Sequence, residues 1–264
     1  MTNFIHPTAI VDNKAYIGEN VSIGPYTTIG ANVIIEKNST IHSHVIIDGN
    51  TKIGEGNEFY PFAAIGLKPQ HLKYSGELTN LTIGNNNIFR ENVTIHPGTL
   101  LGIKKTIIGD NNFFMVGSHV AHDCIIKSNV ILANNATLAG HVEIDHNAIL
   151  GGNSAIHQFV RIGKYAMIGG MSGVEKDIIP YGLYTGIREN LKSLNLIGLK
   201  RKGLTSNTIN EIKNLINIIF DKNDTIENNI KNNSAESSEI LEIKEVIEFL
   251  NSNSKRGITT FEND

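Results

Sequence analysis

Every sixth residue from Ile108 to Val174 is aliphatic or Phe: Ile108, Phe114, Val120, Ile126, Leu132, Leu138, Ile144, Leu150, Ile156, Ile162, Ile168 and Val174. Four residues after these positions stand small side chains, among them Ser118, Cys124, Ala136, Ala148, Ser154 and Ala166. A period of six is neither the 3.6 of a helix nor the two of a plain strand, so it predicts a short extended segment followed by a turn, repeated. One six-residue unit cannot bury its large apolar residue alone, whereas stacked units bury a continuous column of them. Three such sides, each at most about 20 Å long, close into a triangular prism with the large residue inside and the small one near a corner. Successive coils then stack at about 4.8 Å, as strands do in a sheet. The expected fold is an all-β solenoid.

The beat begins almost at the N-terminus, with Ile5, Val11, Ile17, Ile23, Ile29, Ile35, Ile41, Ile47, Ile53, Phe59 and Ile65 in phase, which leaves no room for a separate domain ahead of it. It lapses between Gly66 and Leu81, where the sixfold positions His71 and Glu77 are polar, and a loop over 67–80 is expected to leave the prism there. Long loops of this kind are more often functional than not. After Ile83, Phe89 and Ile95 the beat slips by one residue across Gly102–Lys105, which predicts a smaller bulge at 101–107. The period ends after Val174, so the solenoid is expected over 1–187. A helical domain is expected over 188–264, built on the helically spaced sets Ile209, Ile212, Leu215, Ile216, Ile219 and Ile240, Ile243, Val246, Ile247, Leu250. Thr208 and Glu211 have the spacing of a capping box, and residues 232–237 read as a connector. These helices either cover the open strand edge of the last coil or bind a ligand.

Composition narrows the function. A formal net charge of −3 over 264 residues provides no basic face for general nucleic-acid binding. The first residues show no signal-peptide pattern and no apolar run reaches transmembrane length, so a cytoplasmic protein with no integral membrane segment is expected. A single cysteine permits no internal disulfide and agrees with a reducing compartment.

Folding the beat onto three sides per turn stacks residues eighteen apart on one edge. His122, Gly140 and Gln158 then share an edge, with His141 and His157 beside them, and both irregular stretches leave from the same side. Any one of these histidines, taken singly, reads as a hydrogen-bonded turn residue; their convergence with two loops marks a candidate site. As a corner residue, His122 is expected to be removable without opening a cavity. Cys124 fills a small inward position and reads as a packed apolar residue, while His42 and His44 read as structural surface residues.

Several strings add a resemblance: His119-Val-Ala-His122-Asp-Cys, Ile131-Leu-Ala-Asn-Asn-Ala-Thr-Leu-Ala-Gly-His141-Val, Ala155-Ile-His157-Gln-Phe, Leu72-Lys-Tyr-Ser-Gly-Glu, Ile95-His96 and Gly198-Leu-Lys-Arg-Lys-Gly203. Together these span essentially the whole chain and resemble the UDP-N-acetylglucosamine O-acyltransferases that begin lipid A synthesis. The resemblance implies a left-handed parallel β-helix and a homotrimer with sites between subunits. It also implies transfer of an (R)-3-hydroxyacyl group to UDP-N-acetylglucosamine from an acyl carrier protein, whose phosphopantetheine makes a separate cofactor unnecessary. His122 is then the general base, supported by Asp123, with the N–H of Gly140 facing the oxyanion. Lys73, His119, His141, His157 and Gln158 line the two substrates, Asn195, Arg201 and Lys202 hold the uridine and phosphates, and Gly170 leaves the acyl groove open for a long chain. No metal is expected: the γ-class carbonic anhydrases share this β-helix and use three histidines, but with a spacing unlike the three-residue step from His119 to His122. The sequence departs from the family pattern at His71, where Asp is usual, at Pro97, where Arg is usual, and at Ile197, where Glu is usual. Competing readings are an N-acyltransferase or acetyltransferase of the same superfamily, acceptance of a 3-amino sugar, and a non-catalytic trimeric scaffold.

Overall fold

The computed structural model describes residues 3–187, 190–232 and 239–261. Short parallel strands, most of two residues, are separated by tight turns and assemble into three sheets of eleven, nine and eight strands. The register follows the sequence period: Ile126 pairs with Ile144, Leu132 with Leu150 and Leu138 with Ile156, each eighteen residues on. Each sheet is one side of the prism, and the sixfold aliphatic residues fill its interior. From Ile23 to Val174 these positions are buried, and Phe59, Phe89 and Phe114 form a central stack with ring centroids 4.7 and 4.8 Å apart. Ile5 is 43% exposed at the base, where no coil lies beneath to cover it.

The corners need a residue with positive φ. Asn supplies most of them on one edge, at Asn20, Asn38, Asn86, Asn111, Asn129 and Asn147, because its short polar side chain tolerates the left-handed region.

Two insertions interrupt the coils. Ile53 pairs with Ile83 and Ile83 with Ile108, spacings of 30 and 25 where the regular register is 18. The first excursion occupies residues 67–79 and the second residues 96–104. The second therefore starts earlier than the phase slip suggests, and residues 105–107, expected inside the bulge, already belong to the strand Lys105–Ile108 in register with Asn80–Ile83. The prism takes up surplus residues as a turn and resumes pairing at the first residue that restores the phase.

The upper end is not a clean boundary at 187/188. The strand Gly182–Tyr184 continues the eleven-stranded sheet, and Leu191–Leu194 then adds antiparallel to it, ending the parallel ladder. Helices α1 (Leu196–Arg201), α2 (Ser206–Ile219), α3 (Ile226–Asn232) and α4 (Leu241–Asn251) follow, and the chain returns to bridge Asp177 with Ile258 and Leu191 with Phe261. The N-cap of α2 is Thr205, whose hydroxyl accepts from the Thr208 N–H at 3.2 Å, in place of the expected Thr208–Glu211 box. Ile209, Ile212, Ile216 and Ile219 of α2 and Ile243, Val246 and Ile247 of α4 are buried, as their helical spacing predicts. Of the connector expected at 232–237, Asn232 ends α3 and the rest lies outside the described residues. Among the described residues no helix is long and apolar enough to cross a membrane.

Candidate active site

Both excursions fold over the same edge, the one between the nine-stranded and eight-stranded sheets, at the level of His122. Its corner positions are Asp123, His141 and Phe159, with φ of 60°, 61° and 69°. Residues 67–79 bring the His71 ring edge-on to His122, centroids 5.0 Å apart, and His141 meets His122 from the coil above at 5.2 Å. His141 in turn stacks on Phe159 at 4.5 Å. His122 is consequently only 6% exposed, so truncating this ring removes packing, contrary to the expectation that a corner residue could be removed without opening a cavity.

His122 Nδ1 lies 2.8 Å from Asp123 Oδ2. Burial by itself pushes the Asp123 carboxyl up, but hydrogen bonds from His122 and Thr99 outweigh it and hold the group below its ordinary value. An ionised carboxylate only accepts, so the proton of the neutral imidazole sits on Nδ1 and Nε2 keeps its lone pair. Gly140 lies beside that nitrogen: a Cβ added there would be 2.6 Å from Cε1 and 2.8 Å from Nε2 of His122. A residue without a side chain is therefore required for the ring to occupy this place. Among the described residues the Gly140 N–H has no hydrogen-bond acceptor, although the residue is buried.

Below this pair, His119 Nδ1 lies 2.7 Å from Thr94 Oγ1, and His96 packs edge-on against His119 at 5.1 Å. Burial lowers the pKa of His119; burial, with the nearby His119 and His122, lowers that of His96 to about 4. Burial also pulls His141 down, against the charge of Asp123. Burial thus favours the uncharged form of His96, His119 and His141 around one carboxylate. His122, Asp123 and His141 offer metal-ligating atoms within 4.8 Å of one another, but the Asp123 oxygens already accept from Thr99 and His122. Cys124 is fully buried and its thiol is pushed up to about 12 by that burial, which suits packing and not nucleophilic attack.

The remaining sequence-predicted residues are dispersed in a single chain. His157 and Gln158 lie higher on the same edge, exposed and half-buried respectively, with His157 Nδ1 3.2 Å from the Gln158 carbonyl. Lys73 is exposed on the first excursion, where its N–H donates to His71 Nδ1 at 3.3 Å. Asn195 caps α1, accepting from the Gly198 N–H at 2.9 Å and donating to the Tyr165 carbonyl at 2.9 Å, which ties it to a different edge of the prism. Arg201 is exposed, whereas Lys202 turns inward to Glu242 at 2.5 Å and the Tyr181 hydroxyl at 3.1 Å, so its ammonium joins α1 to α4. Gly170 is exposed on the third edge with an ordinary φ; a Cβ there meets only the Gly152 backbone, its O at 3.3 Å and its N at 3.8 Å.

Sequence reasoning missed Thr99, Gly102 and Thr106, which surround Asp123. The phase slip at this point was the only signal, and it marks extra residues without saying which of them turn inward.

Comparison with known proteins addresses the family of the whole chain. Residues 105–140 match the bacterial transferase hexapeptide family (six repeats), and residues 177–259 match the second domain of UDP N-acetylglucosamine O-acyltransferase. The acyl-[acyl-carrier-protein]–UDP-N-acetylglucosamine O-acyltransferase of Thermodesulfovibrio yellowstonii is 48% identical over 256 residues, covering 97% of this chain and 99% of the relative. The UDP-N-acetylglucosamine O-acyltransferase structure from Moraxella catarrhalis superposes with a TM-score of 0.93 at 41% identity, covering 98% of this chain and 100% of that one. The Arabidopsis UDP-N-acetylglucosamine acyltransferase gives a TM-score of 0.84 at 34% identity, covering 97% and 100%. With its hexapeptide coils, its helical end and its full-length relatives, the chain belongs to the acyl-[acyl-carrier-protein]–UDP-N-acetylglucosamine O-acyltransferase family.

Proposed function

We propose that the chain transfers an (R)-3-hydroxyacyl group from acyl carrier protein to the 3-hydroxyl of UDP-N-acetylglucosamine, the first step of lipid A biosynthesis. The observation that carries this reading is the buried His122–Asp123 pair with its free Nε2 beside the unpaired N–H of Gly140. His122 Nε2 removes the proton of the 3-hydroxyl as its oxygen attacks the thioester carbonyl. The Gly140 N–H donates to the resulting oxyanion, where a fixed donor is worth most. The carbon–sulfur bond then breaks, and the leaving phosphopantetheine sulfur takes the proton back from His122. Base, nucleophile and leaving group are all supplied by the residues and the two substrates, so the step needs no further cofactor.

Lys73, His119, His141, His157 and Gln158 line the sugar nucleotide and the acyl chain in this reading, and Asn195 and Arg201 face the uridine and phosphates. Asn195, the N-cap of the helix that ends at Arg201, is tied to a different edge from that of His122, which supports a homotrimer with each site shared between two subunits. Exposed apolar side chains along the lower coils, including Ile10, Tyr16, Tyr26 and Phe62, provide a surface for such association. The coils are left-handed in this reading, residues 1–187 carry the chemistry while 188–264 close the prism, and the enzyme is cytoplasmic.

The test is to incubate pure protein with UDP-N-acetylglucosamine and a set of 3-hydroxyacyl carrier proteins and to weigh the products. A 3-O-acylated nucleotide sugar is expected, and His122→Ala is expected to lower its rate by about 10² to 10⁴. No product from any carrier protein, or a His122→Ala rate within threefold of wild type, overturns the assignment.

A further inference from the structure

The seven extra residues between Phe89 and Phe114 deliver two features to a single carboxylate. The Thr99 N–H lies 3.1 and 3.0 Å from Oδ1 and Oδ2 of Asp123, and the Thr99 hydroxyl donates to Oδ2 at 2.7 Å. Oδ2 is the same oxygen that accepts from His122 Nδ1. Three residues on, Gly102 covers the carboxyl so closely that a Cβ there would overlap its atoms. Thr106 completes the fixture by accepting from the Asp123 N–H at 2.9 Å, holding a backbone with φ of 60°. Thr99 is 1% exposed, Asp123 2% and Asp123's side chain wholly buried, so no solvent is at hand to replace a lost donor.

We infer that Thr99 is a positioning residue for the reaction, holding Asp123 as an oriented anion that fixes His122 with Nδ1 protonated and Nε2 aimed at the acceptor hydroxyl. The inference rests on the reading of His122 as the base. A buried carboxylate with a single donor either takes up a proton or turns toward whatever cation is near. Thr99 prevents both by donating twice from one residue, leaving one lone pair of Oδ2 for imidazole. The excursion at 96–104 thus has a chemical role beyond that of a tolerated insertion, and Gly102 is there because the carboxylate occupies the space a side chain would need.

Thr99→Val keeps shape and backbone donor and removes only the hydroxyl. Hydrogen bonds to charged groups are strong enough that kcat is expected to fall about 10- to 100-fold, while KM for both substrates stays within threefold. The acid limb of kcat/KM is expected to move to higher pH, because an anion with one donor fewer attracts the His122 imidazolium more strongly. The other titratable groups facing the pair are His71 from the first excursion and His141 above it, with Lys255 beyond, and His96 and His119 below; Thr99→Val alters none of them. Thr99→Ser restores the hydroxyl and is expected to return kcat to within threefold, and Gly102→Ala, whose Cβ would overlap the carboxyl, to impair kcat like Val. An unchanged kcat and acid limb in Thr99→Val overturns the inference, as does a Thr99→Ser variant as poor as Val. His122→Ala, run alongside, separates the two claims: if it retains activity the base assignment has failed, and if it is inactive while Thr99→Val is normal only the role of Thr99 has.

Discussion

Asp123→Asn preserves the shape of the side chain and removes its charge, so it isolates what the anion contributes. In the folded protein the Thr99 N–H and hydroxyl and the His122 Nδ1 all donate to the carboxyl. An amide has one acceptor oxygen and one donor NH₂. With its NH₂ at the Oδ1 position the amide still accepts from Thr99 and His122 but without charge, and with its NH₂ at the Oδ2 position it sets a donor against His122 Nδ1; neither placement leaves the imidazole a charge-assisted hydrogen bond. A charge-assisted hydrogen bond contributes about 1.5–3 kcal/mol, and the bond from His122 strengthens as the imidazole gains a proton in the transition state. Losing it is therefore expected to raise the barrier by about 3 kcal/mol, roughly 10²-fold in kcat at about 1.4 kcal/mol per tenfold. KM for UDP-N-acetylglucosamine should stay within a few-fold. The direction of the pH effect follows from charge: removing an anion removes attraction for a cation formed beside it, so the acid limb of kcat/KM moves to lower pH in Asp123→Asn, opposite to the shift expected for Thr99→Val. Stability carries a second signature. The folded carboxyl lies below its ordinary value, so it contributes stability that is present above the unfolded pKa, about 4, and is lost as pH falls through the folded pKa. Wild type should lose Tm along that acid range and Asp123→Asn should lose less. Steady-state kinetics from pH 5 to 9 with parallel thermal melts make the test. A kcat within threefold of wild type, or an acid limb that moves up, refutes the argument.

Two further expectations separate binding from packing. Arg201→Ala should raise the KM for the nucleotide sugar or the carrier protein several-fold at low salt with a smaller effect at high salt, while Lys202→Ala should instead lower Tm, because it leaves Glu242, 5% exposed, without its partner. Melting curves and salt-dependent kinetics distinguish them, and the reverse pattern contradicts the assignment. Gly170→Met should move donor preference from hydroxymyristoyl toward hydroxydecanoyl carrier protein: the wild-type position is open, the backbone does not require glycine, and each buried methylene contributes about 0.8 kcal/mol. An unchanged preference measured with both donors removes Gly170 from the acyl groove.

The solenoid was legible because its signal is repeated many times over: each coil must place an aliphatic residue inside, and a single miss does not erase a phase carried from Ile23 to Val174. The convergence of His122, His141 and two excursions on one edge was legible for the same reason, since counting by eighteen maps corners onto one another wherever the register holds. Contacts made by residues that belong to no repeat were not. Thr99 reaches Asp123 across 24 positions through a turn whose path depends on local backbone choices, and nothing in the phase distinguishes Thr99 from Leu100. Burial of His122 depends on how His71 is carried back over the corner, again outside the beat. Lys202 read as a phosphate-holding cation because the sequence does not reveal Glu242 forty residues later, and Thr205 was passed over as N-cap because the apolar face of α2 begins only at Ile209.

These failures have a common cause, which also explains how a repeat protein acquires a site. The interior of each coil is constrained by the coils above and below, so its residues report the fold. The corners are constrained only to accept a positive φ, and on this edge successive coils fill that requirement with Asp123, His141 and Phe159 while another edge fills it with asparagines. The backbone is the same in each case; the side chain is free to differ. In the proposed reading, a carboxylate at one such corner, a histidine one residue before it and a glycine one coil above make an oriented base, provided that something outside the repeat covers the carboxylate. That cover comes from the insertions, which the prism tolerates because pairing resumes in register at Ile83 and Ile108. The proposed site therefore lies where the repeat imposes least and an excursion lies closest, at the edge where both insertions fold over the corner.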